Sequence, residues 1–239
     1  GGSRSVTVQS SATLATVEKM IAAFIPFLAE ELGVDEGALR FEDGSFRAEG
    51  SNQRPTVMEA AEMARARGRE ELLTHHERYT LPGRSYPNGA HLAEVEIDPE
   101  TGQVSVAKYT VVDDFGNLMH PTLVEGQVQG GVAQAIGQAL CEQVGFDDAG
   151  QLLTATFMDY AMPRADIWPM MSFDTEPTPS TANPLGMKGC GEAGTVGGMA
   201  AISNAVQDAL WARGVRQADM PFTPLRVWQM LQEAGNETS

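Results

Sequence analysis

Between Val124 and Leu140 the chain reads VEGQVQGGVAQAIGQAL, and this stretch limits the possible folds more than any other. Its apolar residues Val128, Val132, Ala135/Ile136 and Ala139/Leu140 recur at the spacing of one helix face. Yet four glycines, Gly126, Gly130, Gly131 and Gly137, lie inside it. Each costs a helix about 1 kcal/mol relative to alanine, so roughly 4 kcal/mol must be offset by something that needs a bare backbone. The pattern predicts a helix over 124–140 against which a second chain segment or a flat ligand lies unusually close.

Other periodicities supply its surroundings. Leu14, Val17, Met20/Ile21, Phe24/Ile25, Leu28 and Leu32 predict a long N-terminal helix, kinked at Pro26 and stopped at Gly33. In LRFEDGSFRAE (39–49), Asp43-Gly44 separates two strand-like runs, the signature of a hairpin. Thr56 and Glu59 fit a capping box that opens a helix running to about Arg67. From Gly89 to Val112 the period becomes two, with Ala93, Val95 and Ile97 opposite Glu94 and Glu96; with the turn DPETG this predicts a long antiparallel hairpin with one wet face. The proline-rich stretch 156–184 reads as strand pieces and ordered loop. A helix with Ile202, Ala205/Val206 and Ala209/Leu210 on its buried face follows, then a last helix over about 223–234. The expected class is α+β, antiparallel hairpins with several packed helices, divided into a helix/hairpin/helix part (1–80) and a part (81–239) holding the second hairpin, the glycine-rich helix and the segment KGCGE.

Composition narrows the function. With 239 residues, 42% of them hydrophobic, the chain can form one large domain or two small ones. A formal charge of −16 disfavours nucleic acid and anionic membrane surfaces as partners. Two cysteines, Cys141 and Cys190, are too few for an iron–sulfur cluster and do not form a disulfide framework, which points to a reducing cytoplasm. No run of eighteen apolar residues occurs, and GGSRSVTVQSSATL has neither the basic nor the apolar region of a secretion signal.

Chemistry concentrates in GMKGCGEAGTVGG (186–198), where six glycines surround the carboxylate of Glu192. Gly189 to Gly194 match GxGxxG, but no strand is expected before them and no acidic strand end after the helix, so a dinucleotide fold of that kind is disfavoured. Phosphate binding would not call for a central negative charge. A carboxylate packed among backbone and apolar groups is a stronger base than a solvated one, which makes Glu192 a candidate general base. The plain alternative is a tight turn with an exposed glutamate. Lys188 could supply compensating charge, bind an anionic group, or be an ordinary surface lysine. The amides of Gln127 and Gln134 suit the edge of a pterin or nucleobase, while Gln129 and Gln138 read as solvated helix surface. Gly2-Ser3-Arg4-Ser5 ahead of a helix could hold a pyrophosphate or serve as a simple cap. His75, His76, His91 and His120 lack metal-ligand spacing and read as solvated or core residues.

Taken in order, GSRS (2–5), GAHLAEVEIDPETGQV (89–104), VEGQVQGGVAQAIGQAL (124–140), MDYAMPRADIWP (158–169), NPLGMKGCGEAGTVGG (183–198) and AISNAVQDAL (201–210) resemble the C-terminal part of the molybdopterin-binding large subunit of the molybdenum hydroxylases, the family of xanthine dehydrogenase, aldehyde oxidoreductase and aerobic carbon monoxide dehydrogenase. The resemblance implies that Glu192 is the active-site base, which takes a proton from a molybdenum-bound hydroxyl. It implies that Gly2, Ser3, Arg4, Ser5, Gln127, Gly130, Gly131, Gln134, Lys188, Gly189, Cys190, Gly191 and Thr195 cradle the cofactor, in bacterial style a molybdopterin cytosine dinucleotide. It also implies that electrons leave through 2Fe–2S clusters to FAD on partner subunits, and that an N-terminal half of the same subunit completes the pocket for an aldehyde, an N-heterocycle or carbon monoxide. Two departures stand out: VVDDFG lacks the cysteine common before that glycine, and Met119-His120-Pro121 replaces the usual Ile-Asn-Pro. A non-catalytic structural or assembly subunit that keeps the fold is the competing possibility.

Overall fold

The computed structural model describes residues 3–237, so Gly2 of the expected GSRS site lies outside the described residues. Two compact units form, one from the chain before Thr7 and from Arg84 onward, the other from Thr7–Gly83.

Helix α1 (Ser5–Leu32) is the longest element of the smaller unit. It runs through Pro26, whose ring removes one helical donor, and stops where Gly33 takes φ +66°. Strands β1 (Leu39–Glu42) and β2 (Ser45–Ala48) pair antiparallel across Asp43 and Gly44. Both turn residues have positive φ (50° and 73°), the primed geometry that matches strand twist and explains the Asp-Gly pair. Helix α2 (Val57–Ala66) begins with the expected capping box, Glu59 N–H donating to Thr56 Oγ1 and Thr56 N–H to Glu59 Oε2. Phe24, Phe27, Leu28, Leu39, Phe46, Ala60 and Ala64 form the core. Val17 of the expected stripe is exposed because core partners begin one turn later, at Met20 and Ile21. By length and composition alone α1 could cross a membrane, but here its C-terminal half packs into this core.

In the larger unit β3 (Asn88–Ile97) and β4 (Val104–Asp114) form the expected hairpin, its turn closed by the carboxylate of Asp98, which accepts from Glu100 N–H and the Thr101 hydroxyl. Strand β5 (Met170–Thr175) adds to β4 in parallel, giving the order β3-β4-β5. The ladder between β3 and β4 is interrupted once. Glu94 pairs with Lys108 but Val95 pairs with Val106, so Ala107 is an extra residue in β4, a β-bulge. The buried positions of β4 therefore change phase, from Val104 and Val106 to Tyr109, Val111 and Asp113. Over the sheet pack α3 (Pro121–Leu140) and α4 (Ala193–Trp211), with α5 (Pro224–Glu237) closing the chain. Val128, Val132, Ile136, Ile202, Val206 and Leu210 join the sheet residues in one core.

Candidate functional site

The Glu192 loop owes its shape to side chains that bind main chain. Buried Asn183 donates from Nδ2 to the Met187 carbonyl (2.8 Å) and accepts the Met187 N–H at Oδ1 (3.0 Å). Lys188 N–H donates to the Phe115 carbonyl and Asn117 N–H to that of Gly186, so the loop is laced to the end of β4. No strand precedes GxGxxG here: 176–192 hold turns and a single bridge from Met187 to Gly116, as expected.

Glu192 is the N-cap residue of α4, but its side chain does not cap; its carbonyl accepts the Val196 N–H at 3.0 Å. The carboxylate instead accepts, at Oε2, the hydroxyl of Ser3 at 2.9 Å, 189 residues away in sequence. Glu192 is exposed. Among the described residues the packing among apolar groups expected for a desolvated base is absent: Glu192 stays exposed, with its Oε2 held by the Ser3 hydroxyl.

What the glycines accommodate differs from position to position. A side chain at Gly189 would collide with the Ser3 carbonyl, and one at Gly191 would stand 3.2 Å from Ser3 Oγ and 3.5 Å from Gln127 Oε1. Gly194 lies against Val128 and Gly131 of α3, Gly198 against Ala135, and Gly197 against the imidazole of His91. Gly186 takes φ +68° in the turn. The bare backbone of this motif thus receives the chain's own segments.

Lys188 is largely buried, its Nζ 2.6 Å from Asp114 Oδ2, which makes it the compensating charge of Asp114 and no surface lysine. Burial pushes the Asp114 carboxyl up; the Lys188 ammonium and the N–H groups of Thr178 and Gly116 outweigh it and hold the carboxyl at about 2. Burial pushes the thiol of half-buried Cys190 up, away from ready ionisation.

A cavity of about 420 Å³ opens beside this loop. Of the expected residues it gathers Ser3, Ser5, Gln127, Lys188, Cys190 and Gly191. The others lie elsewhere. Gly131 is spent on the α3–α4 contact, and the Thr195 hydroxyl sits 2.9 Å from Gln134 Oε1 and 3.2 Å from the Gly131 carbonyl, tying the same two helices. Gly130 borders a separate groove of about 500 Å³ with Gln129, Arg164 and Trp168, and Arg4 is exposed outside the cavity. Sequence reasoning missed Phe115, Met119, His120 and Leu123, which also line the cavity. For His120 a signal existed: it stands before Pro121 at the start of α3, and its Nδ1 accepts the Leu123 N–H as an N-cap. His91 is a core histidine with polar partners, Tyr109 Oη at 2.7 Å from Nδ1 and Asp113 Oδ1 at 3.2 Å from Nε2.

The cavity's polar groups include the Ser3 and Ser5 hydroxyls, the Asn117 and Gln127 amides and the His120 imidazole, a set suited to the organic part of a cofactor. The sequence accords with this: it matches the molybdopterin cofactor-binding domain over residues 1–169, and the chain belongs to that family, which the large subunits of the molybdenum hydroxylases share. More particularly, it is similar to the large chain of carbon monoxide dehydrogenase from Hydrogenophaga pseudoflava, with 35% identity over 97% of this chain and 29% of that protein. Among solved structures, the reconstituted carbon monoxide dehydrogenase from Oligotropha carboxidovorans superposes with a TM-score of 0.87 at 32% identity, over 99% of this chain and 30% of that one. Quinoline 2-oxidoreductase from Pseudomonas putida 86 does so with 0.79 at 31%, over 97% and 30%. The chain thus spans about 29% of the length of the curated carbon monoxide dehydrogenase chains it matches.

Proposed function

We propose that this chain is the part of a molybdenum hydroxylase that holds a molybdopterin dinucleotide and supplies the base, Glu192. The convergence of Ser3, Ser5, Gln127, Cys190 and Gly191 on one cavity, with Glu192 tied to its wall through Ser3, carries this reading. The Ser3 and Ser5 hydroxyls and the Gln127 amide, which has no hydrogen-bond partner among the described residues, are the groups that would hold the cofactor's polar edge. A cavity of this size takes a nucleotide-sized group. The cofactor, when bound, supplies the two-electron chemistry. Glu192 removes a proton at Oε1 while Ser3 holds Oε2, which orients the carboxylate and leaves one oxygen open. Gly191 and Gly189 keep that segment close to Ser3.

On the same reading the cofactor is the cytosine dinucleotide, the substrate an aldehyde, N-heterocycle or carbon monoxide, and the compartment the cytoplasm. An N-terminal half of the subunit completes the pocket and desolvates Glu192, and partner subunits with 2Fe–2S clusters and FAD take the electrons. In the assembled enzyme Glu192→Gln keeps shape and removes the base; molybdenum content should be retained while the reductive half-reaction slows by at least about 10²-fold. Near-normal turnover at full metal loading would overturn the assignment. A second reading, a non-catalytic structural or assembly subunit, draws on one observation, that the motif glycines pack against the chain's own atoms. It expects that near-normal result or no molybdenum at all.

A further inference from the structure

Asp113 and Asp114 are neighbours on β4, so their side chains leave opposite faces of the sheet. Each reaches a different end of the Glu192 segment. Asp114 holds Lys188, four residues before Glu192, at 2.6 Å. Asp113 holds His91 at 3.2 Å, and the imidazole fills the space where a side chain at Gly197, five residues after Glu192, would stand 2.5 Å from the ring.

The second connection is buried and fully specified. The His91 and Asp113 side chains are 7% and 2% exposed, and Tyr109 is completely buried. In the arrangement that satisfies every ring nitrogen, the Tyr109 hydroxyl donates to Nδ1 and the Nε2–H donates to Asp113 Oδ1. Asp113 Oδ2 has no partner, so among the described residues His91 is the one hydrogen-bond partner of that carboxylate. Gly89, paired with Asp113 across the ladder, leaves room for it, since a side chain there would collide with Oδ1. Sequence, strand pairing and packing therefore all serve to keep one flat ring under the second turn of α4.

We propose that His91 is a positioning residue for Glu192: pinned by Tyr109 and Asp113, its imidazole sets the seat of the N-terminal turns of α4 and so the place of the base. This rests on the assignment of Glu192 as the base. Removing the ring leaves a void under Gly197 and a buried carboxylate without its partner, and α4 loses the surface that fixes its start. Misplacement by about 1 Å is enough to cost a reaction on the order of 10²-fold.

The test is a double-mutant cycle in the assembled enzyme, read together with amide hydrogen exchange. His91→Leu should slow the reductive half-reaction by about tenfold at unchanged molybdenum content, but by less than about twofold when Glu192→Gln is already present, because a positioning effect vanishes with the group it positions. Exchange should quicken over residues 193–197 and stay unchanged in α3. Tyr109→Phe removes one hydroxyl, keeps the ring packing, and should give a smaller loss of the same kind; if His91→Leu does not assemble, this variant carries the cycle. Equal losses in both backgrounds, or unaltered exchange over 193–197, would overturn the proposal. If Glu192→Gln alone proves harmless, the assignment of the base fails, and the exchange data still decide whether His91 seats α4.

Discussion

At the scale of single residues, Lys188 shows how a side chain beside a site can serve the loop instead of a ligand. Its ammonium is committed to Asp114, and both side chains are largely buried. Lys188→Met should therefore destabilise the purified chain by about 3 kcal/mol, the low end for removing one partner of a buried pair. The pH dependence has a defined sign. The Asp114 carboxyl sits at about 2 in the folded protein, below its ordinary range, so its contribution is present at neutral pH and lost as pH falls through about 4 toward 2. Urea unfolding at a series of pH values should show the largest gap between wild type and Lys188→Met near pH 7, closing in acid. An unchanged stability at pH 7 would instead leave Lys188 free for an anionic ligand. Glu192 stood out in sequence as a candidate because its glycine surroundings are local. Its hydrogen bond to Ser3, and the pairing of Lys188 with Asp114, 74 positions apart, were not, since no local pattern encodes a long-range partner.

At the scale of elements, α3 and α4 meet through glycine. A side chain at Gly131 would stand 2.8 Å from Thr195 N and 2.9 Å from Gly194 Cα, whereas one at Gly130 would meet nothing within 4 Å. Adjacent substitutions should therefore have opposite signs. Gly130→Ala should stabilise by roughly 0.5–1 kcal/mol through helix propensity. Gly131→Ala, with the same propensity gain, should destabilise because backbone stands where its Cβ must go, at a cost of about 1–3 kcal/mol for overpacking. Thermal melts of the two variants decide it; equal shifts would mean that the helices are not in this contact. If Gly130→Ala lowers cofactor content in the assembled enzyme while raising stability, Gly130 backs the cofactor as the family resemblance implies. Most elements were legible from periodicity and turn chemistry: Asp43-Gly44, the Thr56/Glu59 box, the long hairpin and both glycine-bearing helices. The parallel docking of β5 was not, because prolines on both sides of a short run mask its alternation and the partner strand lies about sixty residues back. The four-glycine expense of α3 was legible as a need for close approach, yet among the described residues only Gly131 and Gly137 meet it.

At the scale of the whole molecule, large apolar side chains stand in solvent: Phe157 is 81% exposed and Met158 93%. Met119, Leu123 and Val196 are likewise exposed. Neighbouring apolar side chains left bare, as Phe157 and Met158 are, mark a surface meant to be covered. On the proposed function, the purified chain alone should be folded by circular dichroism, colourless, free of molybdenum and inactive toward aldehydes and heterocycles, and should self-associate in light scattering. Its charge of −16 opposes that association, so added salt should promote it. Stoichiometric molybdenum with turnover in a partner-free sample would overturn the need for a completing half, and a monodisperse monomer at high salt would argue that these side chains await no partner. The bulge at Ala107 gives the molecule a sensitivity of another kind, to length. Because the bulge absorbs Ala107, the pairing beyond it stays in phase with β3, and Asp113 faces His91 while Asp114 faces Lys188. One further residue inserted after Ala107 and not absorbed there would leave every chemical group in place and reverse the parity of the strand end, so that an imidazole and an ammonium would each wait for a carboxylate that had turned to the other side.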